Sequence, residues 1–140
     1  MHRLRGAFFL LAMTLSCGCG SDHVATYPVN GKVMFTDGVP VKSGTVELQS
    51  LEQGTTATGT IKDDGTFILG TYSSDDGAVA GKHRAIVVQL IIADGVTLHH
   101  KNHGLPVNPA YGDYDKSGLT ADVQPVEKND IVLTIELTKR

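Results

Sequence analysis

The chain of 140 residues contains no tryptophan and two cysteines, Cys17 and Cys19, both close to its first residue. A disulfide framework needs pairs spread through a fold, so the body of this protein has to be held by apolar burial without cross-links. Charge of one sign is also scarce. Twelve Lys and Arg stand against 15 Asp and Glu, a formal net charge of −3, which lacks the basic footprint of a nucleic-acid binder. No apolar run reaches the ~20 residues that cross a bilayer as a helix, and beyond residue 27 no window sustains apolar side chains at helical spacing. HExxH, G-x-S-x-G, the phosphate-binding loop and the dinucleotide fingerprint are all missing. An enzyme is therefore not expected, nor a cofactor, a small-molecule substrate or a nucleic-acid partner.

What is present begins with a targeting segment. Arg3 and Arg5, with no acid, precede the apolar run 7–15, AFFLLAMTL, and small or polar residues follow in SCGCGS. A positive region, a short apolar core and a small-residue junction describe a cleaved signal better than a permanent span. The junction resembles a bacterial lipobox, in which a small residue precedes a cysteine whose thiol receives a diacylglycerol. Cys19 has Gly18 before it and Gly20-Ser21 after it; Cys17 has Ser16 and Leu15 before it. Neither has the usual Leu three residues upstream, where Ser16 and Thr14 stand instead. Cys19 is the expected lipidation site, with Cys17 as the alternative and an ordinary secreted protein as the plainer reading. The expected organisation is a lipoprotein signal peptide over 1–18, a tether over 19–26 and a folded domain over 27–140. The lipobox resemblance implies export to the cell envelope and anchoring at a membrane, the outer membrane or the periplasmic face. Two or three acyl chains hold a small domain where one is marginal.

From Tyr27 onward the dominant signal is alternation with period two, which sends every second side chain to one face of a sheet. Val33 and Phe35 are predicted to point inward from 31–36, and Val46 and Leu48 from 45–49. Segments 56–62 and 66–72 read as a hairpin across Asp63-Asp64-Gly65, where glycine supplies the positive φ of a tight turn. The run 84–92, RAIVVQLII, reads as a central strand covered on both faces. Leu119, Ala121 and Val123 give a short alternation, and Ile131, Leu133, Ile135 and Leu137 give a long one. Six or seven short strands of this kind predict an all-β fold, a single antiparallel Greek-key β-sandwich.

Several of these stretches together resemble one family. Residues 28–33 (PVNGKV) and 38–46 (GVPVKSGTV) are similar to the opening strand, turn and second strand of the carboxypeptidase regulatory-like, or transthyretin-like, domain. Residues 62–69 (KDDGTFIL) resemble its hairpin, and 76–88 (DGAVAGKHRAIVV) the approach to its long central strand. Leu105-Pro106 to Tyr111, 117–123 and Asn129 are similar to small bacterial lipoproteins built from that domain. The resemblance implies a seven-stranded prealbumin-like sandwich, often a passive module of cell-surface proteins. Fold does not by itself imply function.

Four constellations could carry chemistry. His99, His100 and His103 fall within five positions of a loop and would suit zinc or copper. His99 and His103 are four apart, a spacing that joins two imidazoles on a helix, but no helix is predicted there and no Cys or Glu nearby completes a tetrahedral set. Asp113, Asp115, Ser117 and Gly118 match the start of a calcium loop, but its twelfth position holds Gln124 where a bidentate Glu is needed. Asp63, Asp64, Asp75 and Asp76 are candidate carboxylate pairs, although acids in turns commonly bond the local backbone. Tyr111 and Tyr114 lie in a loop and offer rings for a glycan, whereas Phe35 and Phe67 occupy inward positions. The expected function is a non-enzymatic, membrane-anchored module of the cell envelope that serves structure or binds an envelope protein partner through an exposed strand edge. The alternative is a periplasmic ligand-binding module, for metal through the His99–His103 loop or for glycan.

Overall fold

A computed structural model describes residues 22–89 and 103–138. The described chain forms nine strands and one short 3-10 turn. In order they are β1 (Thr26–Tyr27), β2 (Val29–Phe35), β3 (Gly44–Ser50), β4 (Thr56–Ile61), β5 (Thr66–Ile68), β6 (Ala78–Val79), β7 (Gly81–Val88), the 3-10 turn Pro109–Gly112, β8 (Leu119–Val123) and β9 (Asn129–Ile135). The sheets have the orders β1-β6, β5-β2-β9 and β4-β3-β7-β8.

The all-β expectation holds, with two corrections. There are nine strands where six or seven were expected, and the additions are the two-residue strands β1 and β6. The pairing is also not antiparallel throughout, because β2 and β9 run parallel from Val29 opposite Asn129 to Phe35 opposite Ile135. Alternation reveals which face of a strand is apolar but not which distant strand lies beside it.

Alternation did place the inward side chains. Val29, Val33, Phe35, Phe67, Leu133 and Ile135 of the three-stranded sheet join Val46, Leu48, Ala57, Ile61, Ala85, Val87 and Val123 of the four-stranded sheet in one buried cluster. Leu137 departs from its pattern: β9 ends at Ile135, and Leu137 is exposed. Gly31 breaks the apolar alternation of β2 for a steric reason. A Cβ there would stand 2.1 Å from Cζ of Phe67, so the missing side chain is the space in which that ring lies.

The expected hairpin also changes character. Its turn forms as read, with Gly65 at φ +84° and its N–H donating to the Lys62 carbonyl at 2.8 Å. Beyond the turn the strands part company. β4 takes β3 as its ladder partner and β5 takes β2, so the chain passes from one sheet to the other. Contact across the former hairpin persists at Lys62 to Thr66 and at Thr58, which exchanges hydrogen bonds with Gly70. The central strand is β7, between β3 and β8. It starts earlier than predicted, at Gly81, and is described to Val88, with residues 90–92 of the predicted strand outside the described residues.

A buried side chain fastens the corner between β8 and β9. The Asn129 Oδ1 accepts from the Gln124 N–H at 2.8 Å, and its Nδ2 donates to the carbonyls of Gln124 and Pro28. The start of β9 is thereby held to the start of β2.

Candidate functional site

The sequence-derived candidates fall in separate places. Cys17, Cys19, His99 and His100 lie outside the described residues. His103 is half-buried, and its carbonyl accepts from the Gln89 side chain at 3.1 Å. Among the described residues no group of three or more His, Cys, Asp or Glu is placed to hold a metal ion.

The acids of the turns work on the backbone. Asp64 Oδ1 accepts from the N–H and hydroxyl of Thr66 at 3.0 and 2.6 Å, and the hydroxyl bond leads in holding its carboxyl below the usual range. Asp113 accepts the Asp115 N–H at 2.9 Å and faces the Lys116 ammonium at 3.1 Å; those contacts likewise keep it ionised. In Asp76 burial pushes the carboxyl up, but the N–H groups of Thr71, Tyr72 and Ser73 together outweigh it and leave the value lowered. This one carboxylate shapes the whole turn 71–73. Asp75 sits beside it at φ +64°, the one described residue other than glycine in the left-handed region.

Tyr111 and Tyr114 are both engaged by the fold. Tyr111 packs against the core, and its hydroxyl accepts the Glu136 N–H at 2.9 Å. The Tyr114 ring lies under the Arg84 guanidinium, 4.7 Å from its centroid, and its hydroxyl donates to Glu47 at 3.3 Å. Burial first, then the Glu47 charge, push the Tyr114 phenol up, so it remains a donor. Arg84 in turn donates through Nε to Gln49 at 2.8 Å and reaches Asp115 at 3.4 Å. The Ser117 hydroxyl donates to the Ala85 carbonyl at 2.6 Å, and the Val107 N–H donates to Gln89 at 3.0 Å. Segment 107–118 is thus stapled onto the outer face of β7. Ile86, which alternation turns away from the core, is only 6% exposed.

Further along the same outward face, at the β4 edge of the sheet, the surface is open. A groove of about 590 Å³ runs along β4, with Thr56, Thr58, Thr60 and Lys62 on one side and Ile68 and the turn Gly70–Asp75 on the other. Ala57 and Ile61 of β4 are buried, so the alternating threonines face outward with their hydroxyls in a row. Tyr72 lines the groove, and its ring carries the imidazole of His23 stacked at 4.0 Å and 2°. The chain entering the domain is thereby laid against the groove's wall, and Thr26 follows directly into β1 opposite Val79. Sequence reasoning missed this site, although Thr at every second position in TATGT marks it. The same spacing serves any half-exposed strand, so it carried no distinguishing weight alone.

Comparison of the chain with family models, with curated proteins and with solved structures found no match.

Proposed function

We propose that this protein is a non-enzymatic lipoprotein of the cell envelope, an acyl-anchored β-module whose work is done by binding at its surface. The observation that carries the reading is the placement of the cysteines. Both stand at the end of the apolar run, at 17 and 19, while the body builds its core without any. No helix among the described residues is long and apolar enough to cross a membrane. Attachment through Cys19, with Cys17 as the lesser candidate, would hold the body at a membrane. The turn carboxylates favour a non-enzymatic role, since Asp64, Asp76 and Asp113 spend their oxygens on neighbouring N–H groups.

The same proposal includes the finer architecture. The two larger sheets contribute to one cluster, as they would in a sandwich, and the crossing of β4 to β5 between sheets suits a Greek key. A transthyretin-like ancestry remains part of this reading through the turn glycines and apolar positions that resemble that domain.

The test is incorporation of labelled palmitate in cells, followed by membrane fractionation. Wild type should be labelled and sediment with membranes, Cys17→Ser should behave the same, and Cys19→Ser should lose both properties. A doubly substituted chain that still carries label or still sediments would overturn the reading.

A further inference from the structure

We propose that the groove along β4 is a binding site for a neutral saccharide. Its volume lies within the range of small-molecule sites, about 300 to 1,000 Å³. Its lining is rich in hydroxyls, with Thr56, Thr58 and Thr60 on one side and Thr71, Ser73 and Ser74 on the other. Each threonine hydroxyl both donates and accepts, which is what a polyol needs, since each of its own hydroxyls presents one donor and two acceptor positions. The lining carries one charge of each sign, Lys62 and Asp75. That pairing disfavours a phosphate or a metal cation, either of which needs an excess of one sign. Between the polar groups, Ile68 and the Tyr72 ring offer apolar surface for the C–H face of a sugar ring.

The site is also built before anything enters it. The Asp76 carboxylate fixes the turn by three backbone N–H bonds at 2.6 to 3.1 Å. His23 backs Tyr72 without itself lining the groove. A wall held in place loses little freedom when a ligand arrives.

His23 follows Cys19 by four residues, a reach of at most about 14 Å at ~3.5 Å per residue. On the tether reading proposed above, the groove therefore opens within a short distance of the bilayer surface, and the saccharide is either free or the headgroup of a glycolipid.

The experiment is amide hydrogen exchange on the full chain in detergent and in vesicles, with maltotriose, chitotriose, vesicles containing a galactosyl diacylglycerol, and inorganic phosphate as separate probes. Saccharide at about ten times its dissociation constant should slow exchange about tenfold in 56–62 and 70–76, with the distant corner 124–129 unchanged. Slowing by the free trisaccharides assigns a soluble source; slowing by the glycolipid vesicles alone assigns a headgroup. Thr58→Val with Thr60→Val keeps the shape of two exposed positions and should weaken binding about tenfold, the loss of two neutral hydrogen bonds, with the thermal midpoint unchanged. Cys17→Ser with Cys19→Ser should keep the response to a free sugar, so a failed anchor and a failed groove give different results. No protection from any sugar, stronger protection from phosphate, or full binding by the double valine variant would overturn the proposal.

Discussion

Two irregular stretches border the four-stranded sheet, and they meet it in opposite ways. Segment 107–118 is fastened to the strands by side chains: Ser117 to Ala85, Tyr114 to Glu47, and Gln89 to Val107. Turn 70–76 is organised by its own Asp76 and touches β4 through the backbone of Gly70. The first stretch covers an outward isoleucine, and the second leaves Thr58 and Thr60 exposed. The difference shows that a loop need not be loose to leave a surface free; it needs its hydrogen bonds satisfied within itself. A self-capped turn can stand off a sheet at little cost, whereas one that bonds to the strands closes over them.

The comparison can be broken most severely at Gly77, the base of the open turn. Its φ is +87°, and a Cβ would stand 1.9 Å from the Tyr27 carbonyl oxygen. Gly77→Ala should cost about 3 kcal/mol or more, read as a lowered urea midpoint, with the earliest loss of amide protection in 69–79. On the covered side, Ser117→Ala removes a buried donor and leaves the Ala85 carbonyl short of a partner. The expected cost is about 2 kcal/mol, accompanied by faster exchange in 107–118 and no change in 70–76.

Acid separates the two sides by where each responds. His83 is buried on the inner face of β7, its Nδ1 2.9 Å from the Gly81 carbonyl. Burial pushes its imidazole below the ordinary value of about 6.5, against the opposing pull of Gly81 and Asp122. Below the ordinary value the unfolded chain binds a proton that the native strand refuses. Stability should therefore fall with falling pH by up to about 1.4 kcal/mol per pH unit, and His83→Gln should flatten this slope. Asp76 has the lowered carboxyl, so its contribution is present above the ordinary carboxylate value and lost as pH falls below it, through the lowered native value. Denaturant midpoints measured from neutral to acidic pH should show the two losses in that order. The smallest effect is expected at Asp75. Replacement by Gly relieves the left-handed backbone while adding freedom to the unfolded chain, so stability should stay within about 0.5 kcal/mol while the groove loses a carboxylate.

The sequence was most legible where one strand faces one core. Val33, Phe35, Val46, Leu48, Leu133 and Ile135 all point inward as alternation requires. It was less legible where the partner of a strand mattered. The turn at Gly65 was readable because positive φ is a local demand, but the divergence of β4 and β5 depends on β3 and β2, which compete for them. The groove was obscured for the same reason: its threonines stand in one motif, but the turn opposite is set by Asp76, sixteen or more residues further on. Tyr111 and Tyr114 looked available in the sequence because nothing local announces Glu136 and Arg84 as their partners.

The parallel pairing of β2 with β9 sets an order of events as well as a shape. Val29 lies beside Asn129, so the three-stranded sheet gains its third member only when nearly the whole described chain is available. A polypeptide emerging amino end first, from a ribosome or through a translocation channel, would hold β2 with one edge unfilled until the last strand arrives. Such high contact order slows folding, and it makes that edge of β2 the last part of the three-stranded sheet to be covered.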